Sequence, residues 1–133
     1  MSRNLQSPFK CLTIVLLMAI IVLSLVPAEF RPEPGLPHNI EHGAIFALLG
    51  GAMVLGYRLR FSAWVTLGPL FAAAIEVLQL GVPGRHARLS DFLVDSGTVL
   101  LGSACAIFLL KIQQTRVSRV ADAKGKNNIT FLR

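Results

Sequence analysis

Four long apolar stretches, at residues 11–28, 40–57, 61–82 and 92–110, take up 77 of the 133 residues. Each is 18 to 22 residues long, and crossing the hydrocarbon core of a bilayer takes roughly 17–25 residues of α-helix. Lipid offers no partner for a free N–H or C=O, so each stretch has to satisfy its backbone internally, as a helix. None shows the strict apolar–polar alternation of a membrane barrel strand. The chain therefore reads as all-α, an integral membrane bundle of four transmembrane helices over residues 1–110, with a basic tail at 111–133. Only 15% of its residues are charged, against about a quarter in a soluble domain. No length is left for a soluble catalytic domain.

The first stretch has a rival reading as a cleaved signal peptide, with Arg3 and Lys10 before the apolar run and Val26-Pro27-Ala28 as the cleavage site. Pro27 beside the cleavage position and the length of the run favour a retained helix. Prolines and glycines punctuate the rest: Pro27, Pro32, Pro34, Gly35 and Pro37 after the first helix, and Pro83-Gly84 after the third. Pro69 is expected to bend the third helix, and the tail after Lys111 reads as solvated and partly disordered. Cys11 and Cys105 belong at different depths, so no disulfide is expected and both read as small packing residues.

Four spans put both termini on one side. That side carries ten of the thirteen basic residues, leaving Arg31, Arg85 and Arg88 on the other. The asymmetry predicts cytoplasmic termini, with Tyr57 and Trp64 at the inner interface. The net charge of +6 then lies mostly on the inner face, where it suits anionic lipid headgroups rather than nucleic acid.

This topology gathers six of the seven acids and all three histidines on the outer side. Glu76 is expected about 9 Å inside the end of the third helix and Gln79 about 4–5 Å. An ionisable group at such depth should face the interior and find a partner. Ala72, Glu76 and Gln79 share one helical face, as do Asp91, Asp95, Thr98 and Gly102. Gly43, Ala47 and Gly51 form a small-residue stripe suited to close helix approach. Three helices could thus bring Glu41, His42, Glu76, Gln79, Asp91 and Asp95 together beneath the outer surface, with Arg85 and Arg88 in the adjoining loop. Arg85 is expected to turn inward onto Glu76, Asp91 or Asp95, Arg88 to stay nearer solvent, and His42 to approach from across the bundle. The competing reading is that these residues only pin the helices: Glu76 pairs with Arg85 or Arg88, Asp91 caps the fourth helix from its first turn, and Asp95 bonds a neighbouring helix.

His38-Asn39-Ile40-Glu41-His42 formally matches H-x-x-E-H, a zinc-peptidase pattern. A third ligand and a soluble domain are both missing, so the match reads as accidental. A looser divalent-cation site on His42, Glu41, Glu76 and Asp95 is the stronger metal reading, though no metal is assigned. His86 reads as a plain loop residue. The sequence holds no phosphate-cradling glycine loop or nucleotide fingerprint, so no cofactor is expected.

Glu76-Val77-Leu78-Gln79, then Pro83-Gly84-Arg85, Asp91, Asp95 and Gly102, resemble the VanZ-like family of small membrane proteins. That family's pattern runs E-x-x-Q, a short gap, PGR, five residues, D, three residues, then N or D. An earlier helix of the family opens D-K-x-x-H with an aromatic four residues on. This chain keeps His42 and Phe46 but carries His38-Asn39 in place of the acid–lysine pair. The similarity spans residues 37–102. It implies a multi-pass protein of the bacterial plasma membrane, a role for Glu76, Gln79, Arg85 and Asp91, and a link to teicoplanin resistance, for which the family's namesake is known. It supplies no reaction. Three functions stand open on the sequence: an outward-facing pocket for a headgroup or cell-wall ligand held by His42, Glu76, Gln79, Arg85, Arg88, Asp91 and Asp95; metal-assisted chemistry on a lipid headgroup with Glu76 or Asp95 as base; or a structural or partner subunit.

Overall fold

Each apolar stretch becomes one helix. The computed structural model describes residues 3–27, 38–57, 61–83 and 88–130, which form α1 Arg3–Leu25, α2 His38–Gly56, α3 Phe61–Gln79 and α4 Leu89–Thr130. No strand occurs among the described residues. α1, α3 and α4 are each long and apolar enough to cross a membrane. The apolar part of α2, Ile40–Gly56, lies at the short end of the spanning range.

Local chemistry moves several boundaries from where hydropathy put them. α1 begins at Arg3 and ends at Leu25, where Pro27 stops the ladder after Val26 N–H donates to Val22. α3 stops at Gln79. Beyond it the N–H groups of Leu80, Gly81 and Val82 donate three residues back, to Val77, Leu78 and Gln79, a tightening that ends helices. α4 starts at Leu89, with the Arg88 carbonyl accepting from Asp91 and Phe92 N–H at 3.0 and 3.2 Å. The far end of α4 departs most from expectation: instead of a partly disordered tail, the helix continues to Thr130. No proline interrupts it, and Thr115 and Ser118 hydroxyls donate to the Lys111 and Gln114 carbonyls along its exposed surface.

α2 and α4 run side by side in the same direction and share the most extensive interface; α1 packs on α2, and α3 on α4. Glycine makes the central seam close. A Cβ at Gly50 would overlap the Val99 carbonyl, and one at Gly102 the Ala47 carbonyl. The contact row is therefore Gly43, Ala47, Gly50 and Val54, and Gly51, expected in it, stands at its margin. Close backbone approach maximises dispersion contact where water gives no hydrophobic drive between helices. The polarity of the bundle is inverted relative to a soluble protein. Leu48, Leu70, Val77, Leu101 and Phe108 are exposed, while Thr13, Ser24, Glu76, Gln79, Asp95, Ser96 and Ser103 are buried.

The bundle also fixes the surroundings of Trp64 and of the two cysteines, which sit otherwise than expected. Trp64, in the first turn of α3, is buried against Val54 and Ala106. Cys11 and Cys105 are free thiols on the exposed surface, not packing residues.

Candidate functional site

The ends of α1 and α3 meet the starts of α2 and α4 at one end of the bundle, and the buried ionisable groups collect there. Asp95, one turn past Asp91 in α4, has no exposed surface. It reaches α2, where its Oδ2 lies 3.4 Å from His42 Nδ1. The His42 ring in turn stacks on Phe46, centroids 6.5 Å apart, and Phe46 belongs to the apolar core with Leu49, Ile75 and Val99. Thr98, whose hydroxyl donates to Val94 at 2.8 Å, packs its methyl toward Gly43. That contact fixes the register that sets His42 opposite Asp95.

Glu76 faces inward from the last turn of α3 and is 6% exposed. Its Oε2 accepts the Arg88 backbone N–H at 3.0 Å, so the chain folds back over the helix end and covers the carboxyl. Glu76 lies within electrostatic reach of Asp91, Asp95 and His42. Gln79 is buried at the end of α3. Asp91 occupies the first turn of α4, where a carboxylate suits the helix dipole, and accepts from the Ser90 hydroxyl at 2.9 Å. That is the position the pinning alternative gave it.

The interior therefore sets His42 against Asp95, with Glu76 in electrostatic reach of both and of the half-buried Asp91; Gln79 is buried one turn beyond Glu76, and Glu41 lies beside His42 on α2. Arg88 is exposed and touches Glu76 through its backbone rather than its guanidinium. Arg85 and His86 lie outside the described residues, so the expected inward turn of Arg85 does too. Among the described residues no three His, Cys, Asp or Glu side chains are grouped as a metal site would require. Among the described residues, the buried Glu76 Oε1, Asp95 Oδ1 and Ser96 Oγ meet no hydrogen-bond donor. A buried acceptor without a donor is costly, and two of these sit on carboxyls of the cluster.

Sequence reasoning missed Ser24. It is 2% exposed, near the end of α1, and lines a cleft of about 170 Å³ between α1 and α2 with Ile20, Leu23, Glu41, His42, Ile45 and Phe46. The signal was available: Thr13 and Ser24 alone interrupt the first apolar stretch with hydroxyls.

A family model described as VanZ/LLP1 matches residues 4–111. No curated protein and no solved structure matches the chain significantly. The match takes in nearly all of α1, the three remaining helices up to Lys111, and every residue of the buried cluster. By that span the chain is a member of the VanZ/LLP1 family.

Proposed function

We propose that the chain is a VanZ-like plasma-membrane protein whose polar end faces outward and binds a lipid headgroup or cell-wall precursor, altering susceptibility to teicoplanin. The observation that carries this reading is the pair of buried carboxyls, Glu76 and Asp95, each holding one oxygen that meets no donor among the described residues. A bundle that needed polar pins alone could satisfy both oxygens with its own hydroxyls and amides. A site that awaits a ligand leaves them open. The asymmetry of the basic residues supports this orientation, with both termini cytoplasmic.

Binding of lipid-linked cell-wall precursors to the purified full chain tests the proposal. Asp95→Asn and Glu76→Gln should each weaken binding while the helices remain intact by circular dichroism. Cells expressing the native chain should tolerate more teicoplanin than cells expressing Asp95→Asn. Equal binding and equal susceptibility in folded variants would leave the cluster a packing device.

A further inference from the structure

The end of the bundle opposite the buried carboxyls carries charge of one sign. No Asp or Glu occurs in residues 1–28, 42–75 or 96–121. Lys10, Lys111, Arg116 and Arg119 are exposed there, and none of the four forms an ion pair among the described residues. Positive charge without carboxylates to offset it draws anions.

Packing sets the two lysines at one level. α2 and α4 run parallel, with Ala47 at Gly102 and Val54 packed with Ala106. Tyr57, just past α2, therefore comes level with Leu110, and both flank the same apolar cluster. The Lys10 backbone lies against Gly56, where a Cβ would come within 3.0 Å of its nitrogen, and its ammonium stands 5.7 Å from the Tyr57 ring centre. Lys111 follows Leu110 and is the first charged residue of α4 after Asp95. Exposed apolar surface stops at the same level: Leu12, Ile14 and Val15 lie just after Lys10, Phe108 and Leu109 just before Lys111. From Leu89 to Leu110 α4 rises about 33 Å, close to the thickness of a hydrocarbon core. Both ammonium groups thus stand where acyl chains give way to phosphates.

We infer that this end of the bundle is a docking rim for anionic phospholipid, with Lys10 and Lys111 reaching the end of α2 from α1 and α4 and each taking a headgroup phosphate. Arg116 and Arg119 stand about 7.5 and 12 Å further along α4. The polar layer of one leaflet is only about 5–8 Å deep, so Arg116 lies at its edge and Arg119 beyond it. A nucleic acid or acidic protein arriving from the water would meet Arg119 first. A headgroup meets the lysines, beside the apolar belt that holds its chains. The rim lies on the tail's side of the membrane, whichever way the bundle is oriented.

Native mass spectrometry of the purified full chain with equimolar phosphatidylglycerol and phosphatidylcholine tests the rim. Phosphatidylglycerol should be retained in preference. Lys10→Gln and Lys111→Gln should each lower that preference about fivefold, the factor one basic group contributes at an anionic surface. Lys111→Arg, which keeps the charge, should preserve it, and Arg119→Gln should leave it unchanged; circular dichroism checks that all four fold. Binding of lipid-linked precursors at the far end should be native in every one of them, so failure here and failure of the proposed function are read separately. Equal retention of the two lipids by the native chain, or an unchanged preference in both glutamine variants, overturns the rim. A loss in Arg119→Gln as large as that in Lys111→Gln replaces it with a diffuse field of the tail. An oligonucleotide that displaces phosphatidylglycerol from the native chain and fails to bind Arg119→Gln gives this face to nucleic acid and overturns the lipid assignment.

Discussion

At one end of the bundle Trp64 fills the space between Val54 and Ala106, with Met53, Leu55, Ile107 and Leu110 packed around them. At the other, His42, Glu76 and Asp95 occupy the same kind of interior position with charge in place of bulk. The first arrangement is closed by shape alone. The second leaves carboxyl oxygens that meet no donor among the described residues, next to a cleft. One helix pair, α2 and α4, spans both regions through a single glycine-lined seam. The packed end and the seam supply rigidity, and the polar end is held open at their expense.

That contrast can be broken most severely at the seam itself. Gly102→Leu would drive a side chain into the Ala47 backbone, and neither main chain can yield without separating α2 from α4. The expected result is loss of folded, monodisperse protein on size-exclusion chromatography, and loss of both ends together. Next comes Trp64→Ala, which leaves a cavity worth about 3 kcal/mol. Because Trp64 is the only tryptophan, its unfolding in detergent is best followed by circular dichroism. Precursor binding by the surviving folded fraction should match that of the native chain; a parallel loss would mean that the two ends are not separable.

Asp95→Asn should behave in the opposite way. The amide conserves volume and can still meet His42, so stability should change by no more than about 1 kcal/mol while ligand binding is lost. Destabilisation as large as that of Trp64→Ala would make Asp95 a structural pin. The smallest effect belongs to Lys10, whose ammonium sits 5.7 Å from the Tyr57 ring. Lys10→Ala should cost about 0.5 kcal/mol, visible in thermal unfolding and absent from precursor binding at the polar end.

Much of this was legible in the sequence because helical periodicity is a local property. Glu76 and Gln79, three apart, had to share a face with Ala72, and all three are buried. Asp95 was too deep in an apolar stretch to face lipid, which leaves only the interior. What was not legible depended on how helices cross. Gly50 joins the seam because the row of contact alternates three- and four-residue steps, whereas a stripe read only at four-residue steps selects Gly51. Ser24 gained meaning only when α1 was laid against the start of α2. The amphipathic ring of Trp64 spoke to its depth in the bilayer and not to its neighbours, and only the helix arrangement shows that it packs beside Val54 and Ala106. The Arg88 backbone contact to Glu76 depends on where α3 ends and how the chain turns back, neither of which hydropathy encodes.

The length of α4 has a mechanical consequence. Its 42 residues make a rod of roughly 63 Å, about twice the thickness of a hydrocarbon core. It contains no proline and no break in its hydrogen-bonded ladder between Leu89 and Thr130. Such a rod transmits torsion. A load applied to its far end meets no hinge before the Gly102 seam, where α4 is locked against α2 a short way from the Asp95–His42 contact. The tail and the polar end, though separated by the full membrane-crossing length, are parts of one shaft.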